Sequence, residues 1–182
     1  MTEVTRGAIL SEDRLYRYEL TRRWNPHLPS QIWVMLNPST ADAYSDDPTI
    51  RRCMKFAQRQ GYGGIVVLNL FAFRSSSPLD LMRYEGDREG PKNRDAWEGA
   101  MARWALWVPG ARMVAAWGAN AADSRLPTSK AYQAWRGFIQ WECLGTTQEG
   151  HPRHPLYVRA NEPFRSWRPP RGPETTISGG KT

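Results

Sequence analysis

Ile32-Trp33-Val34-Met35-Leu36-Asn37-Pro38-Ser39-Thr40-Ala41-Asp42, then Asp46-Asp47-Pro48-Thr49-Ile50-Arg51-Arg52, then Gly63-Gly64-Ile65-Val66-Val67-Leu68-Asn69: this stretch decides the fold. Its two apolar runs are short, rich in branched residues and bounded by turn formers, the pattern of buried strands. Between them Ile50, Cys53, Met54 and Ala57 recur at helical spacing, while Arg51, Arg52, Lys55 and Arg59 fall elsewhere. Asp46 or Asp47 caps that helix, Pro48 occupies its first turn and Gly61 ends it. A strand–helix–strand unit makes the two strands parallel, so the asparagines that end them, Asn37 and Asn69, should emerge at one edge of the sheet. Ligands of open α/β sheets bind at that carboxyl edge.

Working outward, Ala8 to Trp24 alternates with period two around Ser11-Glu12-Asp13 and reads as an antiparallel hairpin. After the second central strand, Leu70 to Pro91 reads as a long irregular loop with Arg74-Ser75-Ser76-Ser77-Pro78 in it. Asn93 to Val108 is helical, with Trp97, Ala100, Met101, Trp104, Ala105 and Val108 as a core-facing stripe. Arg112 to Trp117 is a third strand ending at Gly118, Ser129 to Gly137 a helix, and Ile139 to Leu144 a fourth strand. The expectation is an α/β fold, three layers α/β/α, with a central four-stranded, mostly parallel sheet plus the N-terminal β-hairpin. Residues 1–167 form one domain; 168–182, dominated by Pro, Gly, Arg, Ser and Thr, form a disordered tail.

Composition narrows the function. The 182 residues are 40% hydrophobic, enough for a sizeable core, and no apolar run is long enough to span a bilayer. Met1 to Gly7 is polar and charged, unlike a signal peptide. Cys53 and Cys143 lack metal-ligand spacing, which fits a reducing cytoplasm without a disulfide framework. A net charge of +7 favours a polyanionic partner, nucleic acid (DNA first) or a nucleotide, bound by a monomer away from membranes. There is no Gly-rich phosphate loop, dinucleotide fingerprint or nucleophile elbow.

Leu36-Asn37-Pro38-Ser39-Thr40-Ala41-Asp42, Asp47-Pro48-Thr49-Ile50-Arg51-Arg52, Asn69-Leu70-Phe71 and Arg153-His154-Pro155-Leu156-Tyr157 resemble the marks of an uncharacterised family of bacterial and phage proteins. More distantly, the order of motifs is similar to the uracil-DNA glycosylase superfamily. There, one strand ends in an acid or amide followed by proline that handles the attacking water, as Asn37-Pro38 would here. A second ends in an asparagine that reads the base, matching Asn69; a third ends in Trp-Gly, matching Trp117-Gly118. A fourth leads to a His-Pro element whose histidine stabilises the departing base, matching His154-Pro155, with His151-Pro152 as a rival alignment. Two departures stand out: Met35 replaces a glycine, and His154 lies about ten residues beyond its strand.

The resemblance implies hydrolysis of an N-glycosidic bond with no metal or cofactor. Asn37 would orient water, since a neutral amide accepts no proton at pH 7. Asp42, Asp46 or Asp47 would supply negative charge or a base. Asn69 would pair with the base edge, with Phe71, Tyr44 or Phe73 as stacking candidates, and His154 would donate to the leaving base. Arg51, Arg52, Arg74 and Arg153, with Ser39 and Thr40, are candidates for phosphates. The alternatives are a nucleic-acid or nucleotide-binding protein without catalysis, and a metal-dependent nucleotide-processing enzyme using Asp42 and Asp47.

Overall fold

The computed structural model describes residues 3–39, 41, 44–105, 112–123 and 128–169. The described strands are β1 (Thr5–Leu10), β2 (Arg17–Arg23), β3 (Ser30–Met35), β4 (Gly64–Asn69), β5 (Arg112–Ala115), β6 (Gln140–Cys143) and β7 (Arg165–Trp167). They lie in one mixed sheet in the spatial order β1-β2-β4-β3-β5-β6-β7. The apolar runs Ile32–Leu36 and Ile65–Leu68 supply its middle: β3 and β4 are buried along their whole length and run parallel, with Met35 opposite Asn69. β5 pairs parallel with β3, and β6 parallel with β5.

The expected four parallel strands are therefore the centre of a seven-stranded sheet, not the whole of it. The N-terminal hairpin does not stand apart, because β2 pairs antiparallel with β4 and extends the sheet. At the other edge, β7 pairs antiparallel with β6 through Trp141 and Trp167. Arg165-Ser166-Trp167 is too short to show a period of its own; its pairing with β6 makes it a strand. The proposed tail from residue 168 lies outside the described residues except for Arg168 and Pro169.

Four described helices cover the sheet: α1 (Pro48–Arg59), α2 (Pro78–Arg83), α3 (Asn93–Ala100) and α4 (Lys130–Trp135). Strand residues alternate between faces. Ile32, Val34, Val66 and Leu68 pack with Leu81 of α2, Trp97 of α3 and Ala131 of α4. Trp33, Met35, Ile65 and Val67 pack on the other side with Ile50, Cys53 and Phe56 of α1. Each large side chain buried this way contributes about 1.5–3 kcal/mol relative to exposure.

Asp47, not Asp46, caps α1: its Oδ1 accepts the Ile50 N–H at 2.8 Å, a contact worth about 1 kcal/mol. Asp46 instead pairs with Arg22, a fully buried side chain of β2. α2 falls inside the stretch expected to be irregular, and Ser77 caps it by accepting the Leu79 N–H. The expected helix from Asn93 ends earlier as an α-helix and passes into a π-helical turn, Met101–Ala105; Val108 lies outside the described residues. No described helix is long and apolar enough to cross a membrane.

Candidate functional site

A cleft of about 680 Å³ opens at the carboxyl edge of the parallel strands. All four strand-end segments contribute to it: Asn37 and Ser39 after β3, Ser75 and Ser76 after β4, Trp117 to Asn120 after β5, and Thr147, Arg153, His154 and Tyr157 after β6. Asp47 and Thr49, at the start of α1, complete the wall.

Asn37 is fixed by what its amide nitrogen holds. Nδ2 donates to the carbonyls of Pro38 (3.1 Å) and Ser75 (3.0 Å), tying together the loops after β3 and β4. Among the described residues none donates to its Oδ1, the atom of the amide that can accept a water proton.

His154 is held from two sides. Its Nδ1 accepts the Leu156 N–H at 3.4 Å, capping a short 3-10 turn, Pro155–Tyr157. That bond assigns the ring proton to Nε2, which becomes a neutral donor. Burial holds the imidazole below its ordinary value, while the Asp47 carboxylate pulls it the other way. Behind the ring, Gly118 sits at φ 76°, and a Cβ there would lie 3.4 Å from His154 Cβ. Only glycine combines that backbone with such a close neighbour at little cost. Gly118 thus packs close to His154.

The ten residues between β6 and His154 fold back on themselves. Thr146 bridges Pro152 in antiparallel fashion, Thr147 N–H donates to the His151 carbonyl at 2.9 Å, and Gly150 N–H to the Thr147 carbonyl at 3.1 Å. Arg153 N–H then donates to the Gly145 carbonyl at 2.9 Å, so the chain returns to the strand end before His154. His151 faces a separate cavity of about 160 Å³ beside Trp117 and Trp167. Of the rival histidines, it is therefore His154 that lines the main cleft.

Other expected residues are distributed differently. Asn69 is 0% exposed and does not line the cleft; its Nδ2 and Oδ1 are buried with no hydrogen-bond partner. Register explains this. Asn69 is opposite Met35 and still inside the sheet, whereas Asn37 lies two residues past that pair. The two asparagines are not level. Asn69 shares the parity of Ile65 and Val67, which face α1, and its register partner Met35 lines the cleft.

Phe71 is a core residue, 2% exposed on the α3 face, and borders the smaller cavity. Tyr44 is 87% exposed, and Phe73 stacks on Tyr84 at 3.9 Å. None of the three stacking candidates lines the main cleft. Among the described arginines only Arg153 does. Arg52 donates from Nε to the Pro155 carbonyl at 2.9 Å and from a terminal nitrogen to the Val158 carbonyl, clamping α1 to the His154 segment. Arg74 donates to the Arg14 carbonyl at 3.1 Å, and Arg51 to that of Asp46. Ser39 lines the cleft; Thr40 and Asp42 lie outside the described residues.

Asp47 is the acid among the described lining residues. Asn120 and Thr147 join the cleft without a motif to mark them; Thr49 and Tyr157 stand in quoted motifs but were given no role there, and Tyr157 is 80% exposed. Among the described residues no group of three His, Cys, Asp or Glu side chains could hold a metal ion.

A family model described as a protein of unknown function (DUF1643) matches residues 17–156. The chain belongs to the DUF1643 family. No curated protein and no solved structure matches it. The matched span includes every cleft residue named above except Tyr157, so in this DUF1643 chain the cleft belongs to the family's own domain.

Proposed function

We propose that the cleft receives a nucleobase, carried by DNA or a nucleotide, and that the chain hydrolyses its N-glycosidic bond in the manner of the uracil-DNA glycosylases it resembles. The observation that carries this is the convergence of Asn37, Trp117-Gly118 and His154 on one cleft, from the ends of successive parallel strands, with His154 a neutral donor. The three-layer architecture of that superfamily fits helices on both faces of a parallel centre.

In this reading the bond between C1′ and the base nitrogen breaks first, and its electron pair leaves with the base. His154 Nε2–H donates to the base oxygen on which negative charge gathers. The sugar carries the positive charge, and Asp47 is the nearby carboxylate that opposes it. Water held at Asn37 Oδ1 adds to C1′ and gives up a proton, for which Asp47 is the acceptor of matching charge. For Asn69 to read the base edge, Met35 must move aside. Each orphaned amide atom costs about 1–3 kcal/mol in the closed state, and a paired base relieves that cost.

A second reading, binding without hydrolysis, is favoured by one observation: the residue at the water position is an amide whose nitrogen is already committed to Pro38 and Ser75. Single-turnover assays with oligonucleotides containing uracil or other modified bases, and with free nucleosides, separate the two. Under hydrolysis, Asn37→Ala and His154→Ala each slow base release by roughly a hundredfold or more while binding changes little. Asn69→Ala weakens both binding and discrimination between bases. If wild-type protein releases no base from any substrate yet Asn69→Ala still weakens binding, the binding-only reading replaces hydrolysis.

A further inference from the structure

The exposed face of α1 has no role in the chemistry above, and its composition is one-sided. Pro48 to Arg59 contains four basic residues and no acid. Arg51, Lys55 and Arg59 are all exposed and follow one another at intervals of four, which makes a single stripe along the helix. With a rise of 1.5 Å per residue, neighbouring cations stand about 6 Å apart and the stripe spans about 12 Å. Among the described residues none of the three pairs with a carboxylate; Arg51 donates only to the Asp46 carbonyl.

Beside the stripe runs a groove of about 400 Å³ lined by Arg52, Lys55, Phe56, Gln58, Arg59 and Ala160. Arg59 is held over the Phe56 ring at 4.7 Å, so one cation of the stripe is positioned without any anion. The same helix begins in the cleft, where Pro48 and Thr49 form part of the wall. Stripe and cleft are thus two ends of one element.

We propose that this face of α1 is a track for the sugar–phosphate backbone of a nucleic-acid strand whose base occupies the cleft. The inference rests on reading the cleft as a nucleobase site, and it makes the substrate a polymer instead of a free nucleotide. A mononucleotide in the cleft would not touch Arg59, which lies ten residues, or about 15 Å, along the helix from Thr49. At one phosphate per roughly 3.4 Å of strand, the 12 Å stripe covers three to four phosphates. An unpaired row of cations neutralises such a run of phosphates whatever the base sequence.

The test measures binding of the full chain to a twenty-nucleotide single-stranded DNA by fluorescence anisotropy between 50 and 200 mM salt. One variant carries Arg51→Gln, Lys55→Gln and Arg59→Gln, exposed positions where glutamine keeps helix propensity. A control carries Arg83→Gln, Lys92→Gln and Lys130→Gln, exposed residues at the helices of the opposite face with the same loss of charge. The track predicts that the slope of log affinity against log salt falls by roughly two in the first variant and stays at the wild-type value in the control. Equal changes in both variants, an unchanged slope in the first, or no wild-type binding at 50 mM salt overturns it. Base release is followed in the same samples. A lost slope without base release from any substrate keeps the track and removes the glycosylase reading; base release with an unchanged slope does the reverse.

Discussion

Removing the Arg52 guanidinium should loosen the join between α1 and the segment that carries His154. The place of Arg52 in Thr49-Ile50-Arg51-Arg52 suggests a phosphate ligand, but the guanidinium is committed to the Pro155 and Val158 carbonyls on either side of the turn that His154 caps. A hydrogen bond involving a charged group is worth about 1.5–3 kcal/mol when formed away from bulk water. Arg52→Met keeps the stem and removes both bonds, and the side chain is only half-buried, so the expected loss is about 2–4 kcal/mol. For a chain of 182 residues this lowers Tm by roughly 4–16 °C. Arg52→Lys keeps the charge but loses the fork that reaches two carbonyls at once, and should recover about half the loss. Urea denaturation measures both variants, with the slope in denaturant unchanged if the denatured state is unaffected. The reasoning is refuted if Arg52→Met lies within about 0.5 kcal/mol of wild type while the salt dependence of DNA binding drops. That outcome would make Arg52 a phosphate ligand after all.

Two further expectations concern protons. His154 titrates below its ordinary 6.5 because burial disfavours the imidazolium. The unfolded chain then binds the proton more readily, so this residue's contribution to stability is full above about pH 6.5 and is lost as the pH falls; NMR titration of the ring should show the lowered midpoint, and a midpoint at or above 6.5 contradicts the neutral-donor assignment. Glu142, buried in β6, has its carboxyl raised chiefly by desolvation, against the Gln31 amide that donates to it at 3.1 Å. Its contribution is full below the ordinary 4.5 and is lost as pH rises through the raised value, so Glu142→Gln should raise Tm at pH 7 and leave it unchanged at pH 4, as thermal scans at the two pH values would show.

The centre of the sheet was legible because β3 and β4 are buried on both faces, which demands continuous branched apolar runs. The start of α1 was legible because capping by Asp47 and the fixed φ of Pro48 are local chemistry. α2 carried the same kind of signal in Ser77-Pro78, but the surrounding serines read as a loop. What sequence could not show depended on register. Asn37 and Asn69 both end apolar runs, yet a two-residue offset between paired strands puts one in the cleft and leaves the other inside the sheet. The roles of Arg52 and Gly118 were hidden for a similar reason, since each acts on a segment more than thirty residues away in the chain. His154 was found by its motif, but its lowered proton affinity and its contact with Gly118 come from the packing.

The fold-back between Gly145 and Arg153 changes what chain distance means in this protein. His154 is nine residues from Gly145 along the chain, but a 2.9 Å hydrogen bond between Gly145 and Arg153 closes that detour at its neck. The tip at Thr147 to Gly150 lies beyond the bridge between Thr146 and Pro152. Residues added or removed at the tip should therefore leave the neck in place, and with it the imidazole. The segment works as a side loop on a fixed junction, so the number of residues between the last parallel strand and the histidine is a poor ruler for judging kinship; the ruler that survives is which backbone groups meet at the neck.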